Sequence, residues 1–167
     1  HTRNYKKPIK WFSIPQLFRY ERQQKGRLRE HFQFNADIIG EEHLAADAEL
    51  IALLIDTLRD LKLTSDDFIV RLSSRRAWQD FFENGGGQEK DANDFYQIID
   101  KLEREAPAVS GDKLAKLGFS LKQVNDFIES GQPTDELAAI LANIEARGLG
   151  DFIKIDYRII RGLAYYT

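Results

Sequence analysis

The chain has 167 residues, a formal net charge of −3 and 43% hydrophobic residues, enough for one ordinary globular domain or somewhat more, with a real core. That balance gives no global attraction to nucleic acid or membrane, so any polyanion must be met by a local patch. The lack of cysteine excludes disulfides and thiolate metal sites. No apolar run approaches the roughly 18 residues of a membrane span and no signal peptide opens the chain, so a soluble, cytoplasmic protein is expected. There is no methionine, the chain opens on the polar HTRNYKKP, and it stops at RGLAYYT, which reads as strand rather than tail. Both ends look internal, and a piece of a longer protein is expected.

In chain order, Ile9 to Ile14 and Leu17 to Arg22 read as short strands, and Glu30 to Ile39 as a longer one with nearly clean period two. Phe32, Phe34, Ala36 and Ile38 fall on one face of that strand, and His31, Gln33, Asn35 and Asp37 on the other. The first face reads as core, although a strand open to water shows the same alternation. Gly26 lies at the turn of the intervening QQKGRL, so the two flanking segments should pair as an antiparallel hairpin. A helix over roughly 45–61 carries Leu50, Ile51, Leu54, Ile55, Leu58 and Leu61 at helical spacing and should cover the apolar side of the sheet.

Phe68 to Leu72 is a further strand, after which Ser73 or Ser74 can cap a helix RRAWQDFF that stops at the glycines 85–87. Trp78, Phe81 and Phe82 in it read as packing residues. From 91 to 148 the pattern is helical: 91–105 is amphipathic and stops before Pro107, 113–117 is a helical turn, and Ser120 and Thr134 cap two more helices. Strand pattern returns at Phe152 to Asp156. The chain therefore reads as α+β, with core segments 1–90 and 149–167 interrupted by a helical insertion, 91–148.

No histidine has a partner at metal-ligand spacing, and no phosphate-binding glycine motif or serine elbow occurs. What stands out is the stretch FRYERQQKGRLREHFQ, residues 18–33, which gathers Arg19, Arg22, Lys25, Arg27 and Arg29 among aromatics and around one glycine. With the apolar faces of the hairpin aligned, Arg19, Glu21, His31, Gln33 and Asp37 form one polar floor, over which Arg27 can fold. An arginine fixed on a strand presents a planar fork to phosphate, and a second on a glycine loop can reach another phosphate. Glu21 can accept from an exocyclic amine such as that of adenine, while Gln33 and Asp37 suit an ammonium or imidazole group. The pattern is that of a nucleoside triphosphate beside a small cationic molecule.

Residues 18–40, FRYERQQKGRLREHFQFNADIIG, resemble motif 2 of class II aminoacyl-tRNA synthetases, specifically the histidyl-tRNA synthetase form FRxERxQKGRxRxFxQ, and the terminal RGLAYYT resembles that family's RGLDYYT. The resemblance implies an antiparallel sheet with flanking helices and a helical insertion near the tRNA acceptor arm. It implies that Arg19 contacts the α-phosphate of ATP, Glu21 the adenine amine and Arg27 the γ-phosphate. His31, with Phe32 one place later, stands where an aromatic stacks on adenine. Gln33 then matches the contact to the amino group of histidine and Asp37 an acidic residue near its imidazole. Arg161 would stabilise the α-phosphate in the transition state, Tyr166 would hydrogen-bond the imidazole, and Tyr165 would share in binding histidine. Arg161 and Tyr166 fall on opposite faces of a pure strand; a turn at Gly162 reconciles them.

The implied partners are histidine, tRNA(His) and a second copy in a homodimer of the full-length protein, with no membrane. ATP is the implied substrate, accompanied by Mg2+, with no protein-held metal. Three positions depart from the family pattern: His31, Gln23 in place of a proline, and Ala164 in place of the aspartate of RGLDYYT. The second reading is a synthetase-like, histidine-sensing regulatory subunit of ATP phosphoribosyltransferase, which has no need of triphosphate contacts. A third, a binding module made of the insertion alone, requires a basic stripe, whereas 91–148 mixes signs.

Overall fold

A computed structural model describes residues 4–20, 22 and 24–160. Its first third is one long, bent hairpin. Strand β1 (Ile9–Ser13) pairs antiparallel with β4 (Asn35–Ile39), and β2 (Gln16–Phe18) with β3 (Glu30–Phe32). The expected single strand over 30–39 is thus split at Gln33 and Phe34. Pro15 explains the break: lacking an N–H, it cannot continue the ladder, and its carbonyl instead accepts from the Gln33 N–H at 3.1 Å.

The expected core face of this strand is largely open. Phe32 is 71% exposed and Phe34 46%, because the packing of helix α1 (Ala45–Asp60) reaches the β1–β4 end of the hairpin and leaves the β2–β3 end uncovered. Helix α1 turns only part of the expected stripe inward: Ile55 is buried and Ile51 packs against the core, but the leucines at its margin do not follow. Ala48, Ala52 and Ile55 are buried, while Leu54 and Leu61 are exposed. The two small alanines and Ile55 form one side of a core whose other side is Ile140, Ile144 and Leu149, from helix α6 (Asp135–Ala146) and the turn after it. Contact-residue size sets how closely two helices approach.

Strand β5 (Val70–Leu72) pairs with β6 (Ile153–Ile155) in parallel, unlike the antiparallel pairs before it. A parallel pair needs a long crossover, which the helices between them supply. Helix α2 (Arg75–Asn84) is capped by the Ser74 hydroxyl, which accepts from the Ala77 N–H at 3.2 Å. It stops where Gly86 takes φ +84° and where a side chain at Gly87 would strike the Phe82 ring. Helices α3 (Ala92–Lys101), α4 (Pro107–Lys116) and α5 (Leu121–Ser130) follow. α4 begins well before the expected turn at 113, because Pro107 occupies its first position, where the absent N–H costs nothing. Ser120 and Gln123 form a reciprocal cap on α5, and the Thr134 hydroxyl caps α6.

These helices close on an aromatic core: Trp78, Phe82, Phe95, Phe119 and Tyr157 are buried, with Phe81 and Phe127 packed against them. The packing role expected of Trp78, Phe81 and Phe82 is what the structure shows. Residues of 91–148 share this core with α2 and with Tyr157 and Ile160. The mixture of antiparallel strand pairs and flanking helices is the α+β architecture expected. No helix among the described residues is long and apolar enough to cross a membrane.

Candidate functional site

The site forms where β2 and β3 run out into their connecting loop. Leu17 pairs with His31 and Phe18 with Glu30, and beyond β2 the Arg19 N–H donates to the Arg29 carbonyl at 2.8 Å, so Arg19 stays in register although the strand has ended. The loop then turns at Lys25 and Gly26, with Gly26 at φ +82°, a conformation that favours glycine. The Arg27 N–H closes the turn on the Gln24 carbonyl at 3.1 Å. The Arg29 guanidinium lies 5.1 Å from the centre of the Tyr20 ring, bracing the two sides of the loop.

Arg19, Gly26, Arg27, Leu28 and His31 line one open cavity of about 430 Å3. Three residues singled out from the sequence, Arg19, Arg27 and His31, therefore converge. Gln33 joins them: its side-chain carbonyl accepts from the Arg19 guanidinium at 3.3 Å. Two cations beside an imidazole, open to solvent, suit a large polyanion carrying a flat ring.

Asp37 lies elsewhere. It sits opposite Trp11 in the β1–β4 register, accepts from the Trp11 indole N–H at 2.9 Å and from the Asn35 amide at 2.8 Å, and borders a second cavity of about 500 Å3 between the hairpin and α1. The break at Gln33 and Phe34 separates it from the cavity that holds Arg19. Phe32 does not line that cavity; strand neighbours point to opposite faces, and its neighbour His31 faces the site. Glu21, Arg161, Tyr165 and Tyr166 lie outside the described residues. Among the described residues no cluster of three or more histidine and acidic side chains is gathered as for a metal.

One charged cluster has no counterpart in the sequence reading. Arg71, in β5, places its Nε and one terminal nitrogen each 2.9 Å from Oδ2 of Asp156, and that terminal nitrogen also lies 3.0 Å from Glu103. The other Asp156 oxygen accepts from the Arg158 backbone N–H at 3.0 Å and meets its guanidinium at 3.2 Å. Burial pushes the Asp156 carboxyl up, but the hydrogen bond from Arg158 and the charges of Arg158 and Arg71 outweigh it, holding the carboxyl below the usual carboxylate range. The signal was there: an arginine inside the apolar FIVRL needs a buried or half-buried partner.

The family model described as histidyl-tRNA synthetase matches residues 1–167. A histidine–tRNA ligase of Opitutus terrae is 40% identical over 97% of this chain and 42% of its own length. The chloroplastic/mitochondrial histidine–tRNA ligase of Arabidopsis thaliana is 33% identical over 96% of this chain and 36% of its own. The chain thus spans well under half the length of these relatives. Among solved structures, a histidyl-tRNA synthetase from Nostoc superposes with TM-score 0.79 at 22% identity, covering 100% of this chain and 44% of that one. A Bacillus halodurans protein described as an ATP phosphoribosyltransferase regulatory subunit/histidyl-tRNA synthetase superposes with TM-score 0.77 at 19% identity, over 99% of this chain and 47% of that one. At these identities the two likenesses speak to fold.

Proposed function

The chain belongs to the histidyl-tRNA synthetase family, and from that premise we propose that the polypeptide carrying it activates histidine with ATP and transfers it to tRNA(His). The observation that carries this reading is the convergence of Arg19, Arg27 and His31 on one cavity, with Arg19 oriented by Gln33. ATP, entering with Mg2+ as part of the substrate, sets its α-phosphate on Arg19 and its γ-phosphate on Arg27. The adenine lies against His31, near Phe32, with Glu21 accepting from its amine.

Histidine is held by Gln33 at its amino group and by Asp37, Tyr165 and Tyr166 around its imidazole. In this reading a substrate or the rest of the polypeptide must close the distance between Asp37 and Arg19. A carboxylate oxygen of histidine attacks the α-phosphorus, the bond from that phosphorus to the bridging oxygen breaks, and pyrophosphate leaves with the electron pair. Side chains are asked to stabilise charge rather than to form bonds, so Arg19 and Arg161, aimed at the α-phosphate, are the catalytic residues. Segments 1–90 and 149–167 belong to the catalytic core and 91–148 to an insertion. The full-length protein works as a cytoplasmic homodimer.

The test is histidine-dependent ATP–pyrophosphate exchange by the full-length polypeptide beside its Arg161→Ala variant. Exchange that falls about 10²–10³-fold in the variant, the usual loss for one charge-stabilising donor, supports the reading. Histidine binding without exchange in the unaltered protein overturns it in favour of a histidine-sensing regulatory subunit. The 167-residue piece alone is expected to show no exchange.

A further inference from the structure

Asp156 ends the parallel pair: its backbone N–H donates to the Leu72 carbonyl at 2.8 Å, one step beyond β6. Its side chain is 8% exposed and takes four contacts, two from Arg71, one from the Arg158 backbone and one from the Arg158 guanidinium. The contact to the Arg158 N–H closes a side-chain turn that limits the backbone choices of the two residues after Asp156. Tyr157 is then held at both ends. Its carbonyl accepts from the buried Trp78 indole at 3.0 Å, and its hydroxyl donates to the Gln132 carbonyl at 2.7 Å. Ile160 is buried in the same core, and the next residue is Arg161.

An ion pair with a buried partner, here the Asp156 carboxylate beside a partly exposed Arg71, adds little net stability compared with an apolar replacement, because desolvation offsets the attraction; its attested use is to specify one arrangement. Here the arrangement specified is the heading of the chain as it leaves β6. Arg71 holds Asp156 through two adjacent guanidinium nitrogens, and the same guanidinium reaches Glu103, just beyond α3. A displacement of about 1 Å in a charge-stabilising group can cost about 10²-fold in rate.

We propose that Arg71 and Asp156 are positioning residues that set the course of the chain from β6 through Ile160, on which the action of the next residue, Arg161, depends, with Glu103 tying that course to the helical stretch. The inference rests on the proposed adenylation. It differs from that reading in naming residues that touch neither substrate.

The test uses pyrophosphate exchange by the full-length polypeptide in a double-mutant cycle. Asp156→Asn should lower kcat by about 10²-fold with the KM for ATP and for histidine nearly unchanged, the signature of an interaction made only in the transition state. Arg71→Lys, which keeps the charge and loses the fork, should lie between it and the unaltered protein. Combined with Arg161→Ala, either substitution should cost nothing further, since both act through the same group. Multiplicative losses, or an unchanged kcat in Asp156→Asn, overturn the proposal while leaving the adenylation intact. Should Asp156→Asn fail to fold, the Arg71→Lys cycle decides alone. Absence of exchange in the unaltered protein overturns both.

Discussion

The hairpin at the start of the chain and the helical core after residue 70 spend their aromatic residues in opposite ways. In the core, Trp78, Phe95 and Tyr157 are each at most 1% exposed and meet edge to face, an arrangement that adds to the area they bury. In the hairpin, Phe12, Phe18, Tyr20 and Phe32 are each more than two-thirds exposed, and the order there comes from ladder hydrogen bonds. The candidate site sits on the second kind of ground. Its arginines are solvated and set by backbone register, while the Asp156 carboxylate and Tyr157 are set in the packed half.

Substitutions should separate these two grounds. The largest effect is expected at Trp78→Ala, which removes the centre of the aromatic core and should cost about 3–5 kcal/mol, read as the urea midpoint by circular dichroism on the full-length polypeptide. Arg19→Ala should leave that midpoint within about 0.5 kcal/mol yet remove about 2.7–4 kcal/mol of transition-state stabilisation, read by pyrophosphate exchange. A shared loss in both measurements would erase the division between scaffold and site.

Ser120→Ala, which deletes one half of a reciprocal cap, should cost about 1 kcal/mol. Asp156 gives a pH dependence confined to acid. Its folded carboxyl titrates below the ordinary value, so its contribution is present above the unfolded pKa of about 3.9 and is lost as pH falls through the folded one. The stability of Asp156→Asn should therefore fall less steeply than that of the unaltered protein below about pH 4. The smallest effect is expected at Phe32→Ala, within about 0.5 kcal/mol. A larger one would mean that the open face of the hairpin is covered in the full-length protein.

Local signals were legible where a single residue sets the local structure. Ser120, Thr134 and the glycines 85–87 mark helix ends because capping and left-handed backbone are short-range chemistry, and the convergence of Arg19 and Arg27 was readable because a hairpin with a glycine turn is local too. The break in the long strand was missed because its cause, Pro15, lies on the opposite strand. The inward stripe of α1 was right at Ile51 and Ile55 but missed Ala48 and Ala52, because the partner that selects them lies some ninety residues later in α6. The Arg71–Asp156 pair joins positions 85 residues apart, so its logic appears only once β5 and β6 are side by side.

The two tryptophans divide along the same line, and this makes the chain its own optical instrument. Trp78 is 0% exposed, its indole bound to the Tyr157 carbonyl, while Trp11 is 54% exposed with its indole on the Asp37 carboxylate. An indole in a dry aromatic core emits at shorter wavelength than one in water beside a negative charge. A ligand that disturbs the Asp37 carboxylate would shift the long-wavelength emission, and a rearrangement around Tyr157 would move the short-wavelength one. Single Trp→Phe variants of the full-length polypeptide at the two positions would assign each change by difference, without an added label.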